Sequence, residues 1–167
     1  MCGFFIFRDP GFWAVFLFQK TGGYMQLELI HNPDETQIVI YKIARVLYAE
    51  TYAPTLPAVE ALASMIKNIM TQQNRCAIDV VSDETIFNSL CTESARHKYL
   101  SVDANNRAFQ MCLRVARRMM FGDWVDTCFG AVCFHHADEM PDWATARGYI
   151  ADIDGLLFYT AGDDNEN

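Results

Sequence analysis

The chain has 167 residues, 51% hydrophobic and 20% charged, enough for one sizeable core and incompatible with disorder over most of its length. Thirteen basic against twenty-one acidic side chains leave a net charge of −8, which argues against a dedicated nucleic-acid binder and against attachment to an anionic membrane by charge alone. No apolar run reaches the roughly 18 residues of a membrane-spanning helix, so no stable span is expected.

Residues 1–24 form an apolar N-terminal extension that holds six of the twelve phenylalanines. Arg8, Asp9 and Pro10 break it, then Gly22 and Gly23. Its unbroken stretch, Phe12 to Phe18, sits at the lower limit for a secretory signal, and small-residue cleavage chemistry is missing after it. Three readings stand: a poor signal or anchor, a packed extra strand, or an over-extended frame whose natural start is Met25. The last is slightly favoured, because helix signals begin just beyond Met25. Residues 25–162 are read as the domain and 163–167 as an acidic, frayed tail.

Asn32-Pro33-Asp34-Glu35 reads as a helix start, with Asn32 as cap and Glu35 where a capping box places its carboxylate. Val39, Ile43, Val46, Leu47 and Glu50 then share one helical stripe, and Ala53-Pro54 closes the element. A second helix is expected over Leu56–Gln72, with Val59, Leu62, Ala63, Ile66 and Ile69 inward. Residues 73–103 are irregular and polar. A third helix spans about 104–121, with Phe109, Leu113, Ala116 and Met120 inward, Arg107, Arg114 and Arg118 outward, and Gly122 as its stop. Two strands follow, Phe129–His136 and Asp154–Thr160, with Pro141, Trp143 and Gly148 in the loop between them. Helices followed by a small sheet make an α+β domain.

The six cysteines, at 2, 76, 91, 112, 128 and 133, form no C-x-x-C pair, and most are read as reduced core residues. Cys128, Cys133, His135, His136 and Asp138 are metal-ligand types, but their spacing lacks paired knuckles. On a strand, Cys133 and His135 face one side and His136 the other. No metal or other cofactor is implied. A Cys133–His135 nucleophile pair is a weak rival, because a shared face alone does not activate a thiol.

Glu50 stands out because a carboxylate on an inward stripe is expensive to bury. Burial raises its pKa from about 4.3, and a carboxylic acid kept protonated in an apolar pocket is what a glycosidase uses as general acid. Periodicity alone leaves a second, commoner outcome open, in which Glu50 turns to solvent at the helix end.

The stretch Ile43-Ala44-Arg45-Val46-Leu47-Tyr48-Ala49-Glu50 resembles the opening motif of the SleB-type cell-wall hydrolases, the spore-cortex-lytic enzyme family. That family's next helix motif is matched by Ala61-Leu62-Ala63-Ser64-Met65-Ile66-Lys67-Asn68-Ile69. A later block is matched by Gly130-Ala131-Val132-Cys133-Phe134-His135 with Trp143, and the ending by Ile153-Asp154-Gly155-Leu156-Leu157-Phe158-Tyr159. Four blocks in correct order cover roughly residues 40–160. The chain departs from the pattern at Ile69, Val132, Cys133 and Leu156, where the family carries polar side chains, and its Gln-Phe-Ser element survives as Ile86-Phe87-Asn88.

The resemblance implies a mainly helical lysozyme-like (lytic-transglycosylase-like) fold with a small antiparallel sheet. It implies a bacterial or phage enzyme of the cell wall, acting on peptidoglycan between N-acetylmuramic acid and N-acetylglucosamine. Glu50 takes the catalytic position, working as acid and then as base, without a second carboxylate. Asp138 and Asp142 are the reserve bases for a true hydrolase. Tyr48, Asn68, His135, Trp143 and Tyr159 are candidate substrate contacts, although Tyr48 and its neighbour Tyr52 are as readily explained by packing. The departures leave open a glycan-binding module that no longer cuts, and Cys133 leaves open a peptidase of the stem peptide.

Overall fold

The computed structural model describes residues 39–52 and 54–161, and the readings made for the N-terminal extension, the Asn32 cap and the tail lie outside them. In chain order the elements are α1 (Val39–Thr51), α2 (Leu56–Gln72), the single turn α3 (Ala77–Val80), two 3₁₀ turns (Asn88–Leu90 and His97–Ser101), α4 (Arg107–Phe121), β1 (Cys133–His136), β2 (Tyr149–Ile153) and β3 (Leu156–Tyr159). The domain is α+β, helices first and a three-stranded antiparallel sheet last. Among the described residues no helix is long and apolar enough to cross a membrane.

α1 buries Ile43, Val46 and Leu47 on the expected stripe, with Glu50 at its C-terminal end. α2 starts where Thr55 accepts the Ala58 N–H and Pro57 sits in the first turn, and it buries residues on nearly all sides. α4 starts at Arg107, three residues later than expected, because the Asn106 side chain caps it by accepting the Ala108 and Phe109 N–H groups. Its buried face is Phe109, Cys112, Val115, Ala116 and Met119, while Leu113 and Met120 are half-buried at its edges. Gly122 ends it for a steric reason, since a Cβ there would meet the Arg118 carbonyl oxygen at 2.9 Å. The Arg107–Arg114–Arg118 face is exposed; Arg118 pairs with Glu60 and lies over the Trp124 ring.

The sheet differs from expectation in both strands, and it has a third, because β2 (Tyr149–Ile153) falls in the stretch read as a loop. Phe129 and Gly130 both have positive φ, so the chain turns there and β1 begins only at Cys133. Asp154 and Gly155, read as the start of a strand, instead form the two-residue turn of the β2–β3 hairpin, with φ of 53° and 81°. That turn demands left-handed backbone at both positions, which Asp tolerates and Gly adopts freely. The strand order is β1–β3–β2, with Phe134 opposite Phe158 and His136 opposite Leu156. Paired residues share a face, so Phe134, His136, Leu156 and Phe158 look toward the core, and Cys133, His135 and Tyr159 look away from it.

Three polar residues of α2 at spacings of four, Ser64, Asn68 and Gln72, hold the loop that leads into β1. The buried Ser64 hydroxyl accepts from the Thr127 N–H at 3.0 Å and the Trp124 indole N–H at 3.1 Å. The Asn68 amide donates to the Ala131 carbonyl, and Gln72 donates to that of Gly130. Asp126 gathers the same loop by accepting from the Cys128 and Gly130 N–H groups. Ser64→Ala strands two donors, so it is expected to cost about 1–3 kcal/mol in urea unfolding; a loss below 0.5 kcal/mol would contradict this role for Ser64.

Candidate functional site

Glu50 is inward, 1% exposed, and the one buried carboxylate among the described residues. Its two oxygens have separate partners. Oε1 accepts the backbone N–H of Ser89 at 2.8 Å, and Oε2 lies 2.9 Å from Nε2 of His136. A carboxylate can only accept, so Nε2 of His136 carries the proton. One side chain thereby joins α1, the Asn88–Leu90 turn and β1. The turn is itself held by a 3.0 Å contact between the Ser89 carbonyl and Nδ1 of His97.

The geometry corrects the expected protonation of Glu50. Burial does push its pKa up, but hydrogen bonds from His136 and Ser89 outweigh that and hold it below the ordinary 4.5. The resting group is therefore a carboxylate, available as an acid only after gaining a proton.

Beside it opens a pocket of about 380 Å³, lined by Glu50, Tyr52, Arg96, Tyr99, His136 and Asp138 among others. Asp138, one of the two reserve bases, is at this wall, its side chain 78% exposed and paired with Arg96, which also pairs with Glu139 at 2.6 Å. Asp142 does not line the pocket.

None of the five candidate substrate contacts lines it either. Tyr48 packs its ring edge-on to Phe109 and its hydroxyl accepts from Asn106. Asn68 is spent on the Ala131 carbonyl. His135 and Tyr159 lie on the opposite face of the sheet, where strand alternation puts them, and Trp143 from the following loop packs on both rings. There Nδ1 of His135 donates to the His136 carbonyl at 2.8 Å, which leaves Nε2 to accept from the Tyr159 hydroxyl at 3.0 Å. Trp143 is half-exposed at the rim of that cluster.

The rival chemistries find no support in the placement. Both nitrogens of His135 are engaged, so it offers no base to Cys133, whose thiol is pushed up by burial. The residues considered as metal ligands go separate ways: Cys128 to Asp126, His136 to Glu50 and Asp138 to Arg96. Among the described residues no three His, Cys, Asp or Glu side chains converge. All five described cysteines are free, and of these Cys112 and Cys128 are buried while Cys76 is exposed.

The sequence reading missed His136 and Ser89. A signal for His136 was present, since it shares strand parity with the buried Phe134 and so had to point inward. Nothing local marked Ser89, which contributes only a backbone N–H.

Comparison with known protein families, with curated proteins and with solved structures finds no match to this chain.

Glu50→Gln offers one acceptor oxygen to two donors, so it is expected to cost about 1–3 kcal/mol at pH 7. A carboxyl whose folded pKa is depressed stabilises the fold above its unfolded value and loses that contribution as pH falls through the folded one. The gap between parent and variant should thus be full above pH 4.5 and shrink below it. A gap independent of pH from 7 to 3 in urea unfolding would remove the depressed Glu50 from the account.

Proposed function

We propose that this domain has a lysozyme-like architecture and acts on the glycan strand of peptidoglycan at the cell wall, with Glu50 as its proton-transfer group. The observation that carries the reading is the placement of a buried carboxylate at the end of a core helix, fixed by the sheet's His136, beside a pocket. The four sequence blocks that resemble the SleB-type hydrolases supply the substrate class.

The chemistry needs one carboxyl twice. Protonated Glu50 gives its proton to the glycosidic oxygen, and the C1–O bond breaks with its electron pair leaving on that oxygen. The oxocarbenium-like centre at the muramic acid C1 is then attacked by the same sugar's C6 hydroxyl, whose proton returns to Glu50. The product is a 1,6-anhydro end, and Glu50 finishes as it began. His136 and Ser89 hold the carboxylate in one orientation through both steps and favour its charged, base form.

A second reading has its own observation. The Glu50 side chain has no exposed surface, and both oxygens are already hydrogen-bonded. This favours a module that binds glycan without cutting it, as do the apolar residues at 69, 132 and 156.

Product analysis by mass spectrometry separates the two. Anhydro-muropeptides from the full chain, and none from Glu50→Gln, are expected for the transglycosylase. Reducing ends would make water the acceptor and direct attention to Asp138. No release, with the protein still sedimenting with the wall, would establish the binding module.

The rate should also respond to pH in one direction. The first step needs protonated Glu50, whose pKa in the free protein is depressed. The protonated fraction, and with it kcat/KM, is expected to rise about tenfold per pH unit as pH falls from 7 toward 5. A flat or falling profile over that interval would exclude Glu50 as the acid.

A further inference from the structure

We infer that Tyr52 is a saccharide-stacking platform at the mouth of the Glu50 pocket. The inference rests on the reading of that pocket as a glycan site and names a contact within it that the sequence motifs do not assign.

Tyr52 follows the last residue of α1, and its N–H still donates to the Tyr48 carbonyl at 2.9 Å. Its φ is 53°, the left-handed region, where a side chain bearing Cβ and a ring is disfavoured. Helices that end this way ordinarily use glycine. The core does not compensate for the strain, because Tyr52 is 58% exposed. Strained backbone that packing does not reward is concentrated at functional sites.

The ring is nonetheless held. Tyr99 lies 4.4 Å away between centroids, with the two rings tilted by 40°. Lys98 sits 5.0 Å over the Tyr99 ring. Tyr99 thus backs a ring that remains more than half open to solvent.

The surroundings select the ligand class. Around the two rings the pocket presents Lys98 and the Arg96–Asp138 ion pair, in which the Asp138 side chain is 78% exposed. A pyranose has an apolar C–H face for a ring and a rim of hydroxyl and amide groups for polar side chains.

The test uses the full chain as parent and as Tyr52→Ala, Tyr52→Phe and Tyr52→Gly, with purified peptidoglycan sacculi as probe. Readouts are sedimentation affinity, kcat and KM where product forms, and the thermal midpoint. Tyr52→Ala is expected to weaken Kd or KM about tenfold while kcat stays within threefold. Tyr52→Phe keeps the face and should stay within threefold of parent. Tyr52→Gly should raise the thermal midpoint, by relieving the strain, yet bind as weakly as the alanine variant. Affinity of the alanine or glycine variant within twofold of parent would overturn the platform and leave the glycan reading standing. A parent that neither binds nor cuts sacculi would overturn the glycan reading and the platform with it.

Discussion

The Glu50 carboxylate ties together three stretches of chain that are remote in sequence: the end of α1, the Ser89 turn and β1. Removing a carboxylate from water is costly, and the cost is tolerated only where donors replace the lost hydration. Here a backbone N–H and an imidazole N–H do so, one per oxygen. The same two donors determine the resting protonation state, so the structural and chemical properties of this group have one origin. Any shift of β1 relative to α1 would leave a buried charge half-satisfied, which makes the register of the small sheet against the helices a matter of electrostatics as well as packing.

That register depends on α2. Ser64, Asn68 and Gln72 lie one turn apart along the helix and hold the loop between α4 and the sheet by its backbone. The loop fixes where β1 begins, and strand alternation does the rest: Phe134 packs on Phe87 and Phe158, and His136 two residues on reaches Glu50. On the far face His135 donates to the carbonyl of His136 and accepts from Tyr159, so the residue that holds the carboxylate is itself held from behind. The matched motif position Asn68 thus has a structural task in this chain, which accounts for its presence without a substrate contact.

The site combines features that pull in different directions. A buried carboxyl beside a pocket suits proton transfer to a leaving group, while two strong donors favour its ionised form. An acid–base cycle that returns the proton to the same carboxyl needs both forms in turn. In the proposed cycle, donors that stabilise the base form would assist the second step at the expense of the first, and a ligand that altered either contact would shift the balance.

The inward stripe of α1, the limits of α2, the existence of α4 and the presence of a C-terminal sheet were legible in the sequence, because each follows from hydrophobic period and capping within a few neighbouring residues. The place of Glu50 on that stripe was legible for the same reason, but periodicity favoured its turning to solvent at the helix end, and only the fold buried it. The Asp154-Gly155 turn was written there too but was read as the start of a strand, and the short strand before it, Tyr149–Ile153, was read as loop, because its alternation of apolar and polar residues spans only five positions. What only the tertiary structure decided was the company Glu50 keeps. His136 lies 86 residues away and Ser89 acts through its backbone, so neither contact leaves a local pattern. The protonation of Glu50 was decided there as well: burial alone would raise its pKa, but the donors that reverse the sign are brought by the fold.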